Sequence, residues 1–248
     1  SDNINGNSDT TQELLMTEFL KTDLKLSSFR ESGFIQYNKD IGNFTINAGT
    51  RASYWSFNKE FLLSPRLNLA FIPLWEKDVV FRAATGIYYQ SPFYRELRNL
   101  EGELNPNIES QKSTHFVLGS DYLFYSWGRP FKLISEIYYK DLQNLIPYKV
   151  DNVRIQYLAE NNSNGYATGV DLKINGEFVT GVESWASLSV MQTMEDIEDD
   201  FYIDEETGET IYPGFIPRPT DQRVNFSLFF QDYLPGNPNY KMHLSMMY

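Results

Sequence analysis

Apolar and polar residues alternate with period two along most of the chain, the pattern of strands with one apolar and one polar face. Phe44, Ile46, Ala48, Ala52 and Tyr54 fall on one side, with Asn47, Arg51 and Ser53 on the other. Leu63, Pro65, Leu67, Leu69 and Phe71 oppose Ser64, Arg66 and Asn68, and Val79, Phe81, Ala83, Ile87 and Tyr89 oppose Arg82, Ala84 and Gly86. Phe116, Leu118, Tyr122 and Phe124 then face away from His115, Gly119 and Asp121. Phe131, Leu133, Ile137 and Tyr139 alternate with Lys132, Glu136 and Lys140, and Tyr166, Val170, Leu172 and Ile174 with Gly169, Asp171 and Lys173. Val224, Phe226, Leu228 and Phe230 oppose Arg223, Asn225, Ser227 and Gln231. Tyr240, Met242, Leu244, Met246 and Tyr248 oppose Lys241, His243 and Ser245. With weaker segments near 28–38 and 178–191, the pattern predicts about ten strands. Their expected bounds are 28–38, 44–55, 61–72, 79–89, 113–126, 131–141, 153–174, 178–191, 222–232 and 239–248, following a polar segment at 1–27.

Connection lengths alternate too. Short turns rich in Gly, Pro, Asn and Asp are expected at Lys39–Asn43, Pro73–Asp78, Trp127–Pro130, Asn175–Glu177 and Leu234–Asn239. Longer loops lie at about 90–112, 142–153 and 192–221, with a shorter one near 56–60. A soluble sandwich would also alternate. Here, however, charges recur in mid-strand, no amphipathic helix is available to cover the apolar faces, and short turns lie at one end with long loops at the other. Together these predict an all-β, antiparallel up-and-down transmembrane barrel. In this reading the first strand runs inward and the last outward, which places Tyr248 at the outer surface. The expectation is a piece cut from a larger barrel, because two open sheet edges are not tolerated in lipid.

Composition sharpens this picture. Aromatics make up 16% of the 248 residues, with 17 Tyr and 18 Phe, as suits aromatic girdles. The formal charge of −12 argues against nucleic acid as a partner. The absence of Cys removes disulfides, thiolate nucleophiles and Cys-ligated metals. No stretch approaches the roughly 18 apolar residues of a membrane helix. The negative mean hydropathy is no objection, because barrel strands are apolar only at alternate positions.

Several segments resemble TonB-dependent outer-membrane receptors, particularly the Bacteroidetes type. Leu104 to Gly119 (LNPNIESQKSTHFVLG) resembles the family's loop-to-strand pattern NPxLxPExSxxxELG, with Ser110 and Gln111 where Pro and Glu are usual and Val117 in place of Glu. Ser64-Pro65-Arg66, then Val80 to Ala83 and Ser91-Pro92-Phe93, resemble its SPR…FRxxxGxxxxxP succession. Asn164 to Asp171 is similar to its NxxxAxxxGxE strand, and Arg218 to Arg223 to the approach to a late strand. The four segments keep the family's order and span most of residues 60–232. The resemblance implies the C-terminal part of a barrel of about twenty-two strands, without its plug. It further implies outer-membrane lipid around the barrel, a plug and TonB as partners, and a Gram-negative outer-membrane location. It leaves open a surface lipoprotein partner, as in SusC-like importers, and a ligand that is a siderophore, cobalamin, glycan or peptide. A passive porin-like or adhesin barrel and a soluble all-β binding module are the alternatives.

Three groups of residues are candidates for function. Arg51, Arg66, Arg82, Asp121, Glu136, Lys140, Asp171, Lys173 and Arg223 are expected to face the lumen, where they contact a plug or hydrate the wall. Phe93, Tyr94, Tyr148, Phe201, Tyr202, Tyr212 and Phe215 lie in loops that could stack on an arriving ligand. Asp196, Asp199, Asp200 and Asp204 form a weak candidate for Ca²⁺ in an acidic loop, although their spacing does not follow the EF-hand order. No cofactor is expected. Enzyme chemistry finds no footing: the two histidines, His115 and His243, are far apart, and GxSxG, HExxH and P-loop motifs are absent.

Overall fold

The computed structural model describes residues 26–99, 102–151 and 154–248, so nearly all of the expected 1–27 segment lies outside the described residues. The strands are β1 (Arg30–Ile41), β2 (Phe44–Trp55), β3 (Glu60–Phe71), β4 (Asp78–Gln90), β5 (Gln111–Ser126), β6 (Arg129–Leu145), β7 (Tyr148–Asp151), β8 (Arg154–Tyr157), β9 (Ser163–Val179), β10 (Val182–Ile197), β11 (Tyr202–Ile203), β12 (Thr210–Ile211), β13 (Ile216–Pro217), β14 (Val224–Leu234) and β15 (Asn237–Met247). No helix occurs among the described residues.

One antiparallel sheet runs β1-β2-β3-β4-β5-β6-β9-β10-β14-β15, with β13 paired to β10. Each main strand neighbours the one before it, apart from short hairpins set into loops. Apart from β13, its strands run from 11 to 17 residues. A tilted transmembrane strand needs only about 9–11 residues, so the longest project beyond a bilayer.

Turn chemistry explains the short end. Gly42 sits at positive φ between Ile41 and Phe44, as a tight hairpin requires. Trp127 and Gly128 both have positive φ, the type I′ requirement. Pro235-Gly236 supplies the fixed φ and then the positive φ of a type II turn.

The two faces differ sharply. Register puts Ile46, Leu69 and Ala83 side by side, then Leu118, Ile137, Val170, Val190 and Val224. Most of these side chains are exposed, with Leu118 at 57%, and no second layer covers them. The water-excluding cluster lies at the long-loop end, where Trp55, Leu97, Ile108, Ile146 and Ala159 are buried together.

The structure corrects two of the expected strand bounds. The segment expected as one strand over 153–174 is divided: Arg154–Tyr157 forms the second arm of the β7–β8 hairpin, and β9 begins only at Ser163. The turn expected at Asn175–Glu177 lies instead at 180–181, where Gly181 takes positive φ. Asn-Gly is a strong hairpin signal, but Gly176 is a strand glycine that gives room to the Phe131 ring. It marks close approach, not reversal.

Candidate functional site

The candidate functional surface is the polar face of the sheet together with the loop cap at its long-connection end. A rung joins Arg82 to Gly119, Glu136, Asp171 and Ser189 across five strands. One rung on, Asp121 stands opposite Ile134, which stands opposite Lys173. Nearer the loops, Arg66 pairs with Gly86, His115 with Lys140, and Arg51 with Ser64. Strand periodicity therefore puts eight of the nine charges named from sequence on one face. Arg223 lies just before β14; its carbonyl accepts from the Met191 N–H, and its guanidinium pairs with Asp221 at 2.7 Å.

Within that face an ion network closes around Asp121. Arg82 Nη2 reaches Asp121 at 2.6 Å and Glu136 at 3.1 Å, and Lys132 Nζ reaches Asp121 at 2.7 Å. Lys132 was legible as a polar-face residue from alternation, but its part in the network depends on a cross-strand neighbour that period two does not show. Near the mouth, Tyr88 stacks on His115 with centroids 4.3 Å apart, and Arg66 lies 4.6 Å over Tyr88. Lys140 sits 5.0 Å over Tyr138, and Lys173 5.0 Å over Trp185.

The cap is held by polar side chains reaching between loops. Glu60 accepts from the Ser110 N–H at 3.0 Å and from its hydroxyl at 2.5 Å. Asn58 donates to the Ile108 carbonyl, and Asn105 to that of Ala159, both at 2.8 Å. Asn161 accepts from the Glu109 N–H and donates to the Glu109 and Asn144 carbonyls. Among loops of this length such pairing is what gives a fixed surface, because exposed backbone alone would leave them mobile.

The seven loop aromatics are not gathered into one site. Phe93 and Tyr94 are exposed on the loop after β4. Tyr148 leans on Tyr157 across the β7–β8 hairpin, with Arg95 over the Tyr157 ring. Burial holds the Tyr157 phenol above its ordinary pKa, while Arg95 pulls it back. Phe201 and Tyr212 meet across the β11–β12 hairpin, where Tyr202 pairs with Ile211. Phe215 instead packs at 5.5 Å on Tyr166, which stacks on Tyr139 in the row of the apolar face.

Among the described residues no three His, Asp or Glu side chains come together as a ligand group, and the four aspartates named for Ca²⁺, Asp196, Asp199, Asp200 and Asp204, are spread along the end of β10 and the acidic loop. Asp199 occupies a turn at positive φ, while Asp204 accepts from the backbone N–H groups of Glu206 and Thr207. Asp196 lies near the end of β10, and Asp200 follows the turn at 198–199, where its N–H donates to the Ile197 carbonyl.

An open groove of about 710 Å³ crosses the sheet beside Phe116, Leu118, Ile137, Tyr139, Val170 and Val190. Those side chains belong to the apolar face, so this groove is part of the greasy exterior and not of the polar path.

Comparison with known proteins agrees with this geometry. The family model for a TonB-dependent receptor-like β-barrel matches residues 2–247. No curated relative matches the sequence. Among solved structures, the outer membrane transporter YddB of Escherichia coli superposes with a TM-score of 0.62 at 12% identity, covering 82% of this chain and 31% of its own. The alcaligin outer membrane receptor FauA of Bordetella pertussis gives 0.52 at 16% identity, covering 84% and 35%. The FrpB iron transporter of Neisseria meningitidis gives 0.55 at 12% identity, covering 84% and 31%. The chain thus spans about a third of these proteins, and at such identities they share its fold. With a family model matching nearly end to end and a single-layer antiparallel meander, the chain belongs to the TonB-dependent receptor β-barrel family.

Proposed function

We propose that this chain is barrel wall of an energy-coupled outer-membrane importer of a Gram-negative bacterium. The observation that carries the reading is the single-layer sheet with one continuous apolar face left uncovered. Exposed apolar patches beyond a few hundred Å² mark a membrane or partner surface. Here the apolar rows run along whole strands of membrane-crossing length, which fits acyl chains. The opposite face then lines an aqueous interior, and its charged rungs meet a plug domain in the complete receptor. The capped loops stand outside the cell and take the ligand, and TonB supplies the pull that displaces the plug.

The ligand is one too scarce or too large for diffusion through a porin. The names of solved relatives include iron, alcaligin and copper among what such barrels serve. Siderophore, cobalamin, glycan and peptide remain within the proposal, as does a SusC-like arrangement of the Bacteroidetes type with a surface lipoprotein. The test is growth of the host on a scarce nutrient supplied by the full-length receptor. Uptake should require both the receptor and TonB. Uptake that persists undiminished in a TonB-deficient host would overturn the energy-coupled reading in favour of a passive pore.

A further inference from the structure

We propose that Arg30, Arg51 and Arg66 form an oxyanion pocket on the polar face, one that takes a carboxylate or phosphate group carried by a diffusible ligand. This deepens the importer reading and rests on it for the identity of the polar face as the interior.

The pocket, of about 260 Å³, is lined by these three arginines, the hydroxyl-bearing Ser32, Ser53, Ser64 and Ser91, and the rings of Trp55 and Tyr88. A second hollow of about 330 Å³ continues from it past Arg51 and Arg66 toward Asn47 and Asn68. Strand register accounts for the convergence. Arg51 stands opposite Ser64 and Gly49 opposite Arg66, which makes the two arginines diagonal neighbours on one face. Arg30 stands opposite Trp55 on the adjacent strand, four residues toward the mouth from Phe34, the partner of Arg51.

Each guanidinium is held in place with donors to spare. Arg30 lies 4.1 Å over the Trp55 ring and gives one N–H to the Pro92 carbonyl at 3.2 Å. Arg66 lies 4.6 Å over Tyr88. Arg51 donates to the Ser32 hydroxyl at 2.8 Å. A guanidinium carries five N–H donors in a planar fork that matches carboxylate and phosphate, and stacking fixes the plane of that fork.

Among the described residues no carboxylate pairs with them. Glu31, the acidic residue lining the pocket, stands opposite Tyr54, one residue out of step with Arg30 and Ser32, and so on the other face. Glu60 is on the polar face but is engaged by Ser110 and Asn58. Three like charges aimed into one hollow repel one another, and in a chain of formal charge −12 this is no general basic surface. All three are exposed, so water screens their mutual repulsion, and a bound oxyanion gains chiefly from their spare N–H donors and the local excess of positive charge.

The test uses the purified full-length receptor in detergent, with citrate and inorganic phosphate as separate probes. Binding is read by calorimetry and by the rise in Tm. We expect at least one probe to bind and to raise the Tm of the wild type. The double variant R51Q/R66Q should bind that probe at least tenfold more weakly, with a heat-modifiable electrophoretic band showing an assembled barrel. R66K should fall between the two, because it keeps the charge and loses the fork. Raising ionic strength should weaken the wild-type interaction more than that of the double variant. Wild-type and R51Q/R66Q receptors that bind the probes equally would overturn the proposal. So would a receptor that binds neither probe but whose Tm falls in R51Q/R66Q, since an internal carboxylate then fills the hollow. Anion binding is measured without transport, so a receptor that binds yet imports independently of TonB rejects the importer reading and leaves the pocket standing.

Discussion

At the scale of single residues, departures from the family pattern have local causes. Ser110 stands where the pattern has Pro, and its N–H and hydroxyl both go to Glu60. Proline has no N–H, so only a residue such as Ser can close this contact. Ser110 is 1% exposed, which makes an orphaned Glu60 acceptor costly. A hydrogen bond to a charged group contributes about 1.5–3 kcal/mol, and Ser110→Pro should lose that much from the cap. Amide exchange over 102–110 in the full receptor should accelerate, while β5 and β6 stay protected. Asp204 gives a second local prediction. Its pKa is depressed chiefly by the Thr207 N–H and then by that of Glu206. A depressed carboxylate stabilises its loop above its ordinary pKa of 3.8 and releases it as pH falls through the lower folded value. Thr207 amide protection should therefore hold from neutral pH down to the ordinary range and decline below it. Asp204→Asn should remove most of that pH dependence.

At the scale of strands, alternation made the sides of the sheet legible before any coordinates. Arg82, Glu136 and Asp171 lie on one rung because each occupies the polar phase of its own strand. The same logic reaches Tyr88 and Trp55, which continue the phases of Arg82 and Arg51; extending each pattern to the strand's end would have found the aromatic plates of the arginine pocket. What period two cannot show is which strands meet and where loops fold back. The expected strand over 153–174 joins β8 to β9 because the residues from 154 onward carry the same short apolar run as a strand start. Their separation is set by the pairing of Ser163 with Leu145 and Ile197. Gly169, part of the family-like segment, is explained only by its neighbour: a Cβ there would sit 2.6 Å from the Tyr138 hydroxyl. Gly169→Val should displace that ring and cost about 1–3 kcal/mol, read as a lower midpoint in urea.

Adjacent residues test the two faces directly. Leu188 belongs to the apolar rows and pairs with Leu172 and Phe226, whereas Ser189 pairs with Asp171 and Asn225. Arginine on the lipid face near mid-membrane costs about 2–4 kcal/mol. Leu188→Arg should lower the yield of assembled barrel in the outer membrane. Ser189→Arg, one position on, should assemble normally, because it gains Asp171 as a cross-strand partner. Equal assembly of both variants would remove the basis for placing acyl chains against the apolar rows.

At the scale of the molecule, the two ends of the sheet differ in kind. The short-turn end is built from backbone geometry, with glycines at positive φ in every reversal there except that between β3 and β4. The long-loop end is built from packing, and Trp55, Leu97, Ile108, Ile146 and Ala159 form a small dry nucleus there. The strands below rely on cross-strand hydrogen bonds and, under the proposed membrane reading, on lipid. The nucleus relies on excluding water, and its contribution fades on cooling or in denaturant by its own law. Trp55, 2% exposed, sits inside it, while Trp75 and Trp127 stand 61% and 73% exposed. Indole emission at position 55 is thus a built-in optical gauge of the loop cap. With the remaining tryptophans replaced by phenylalanine, collisional quenching by acrylamide should rise in mild urea well before the barrel's own electrophoretic signature changes, giving a denaturation profile in two steps.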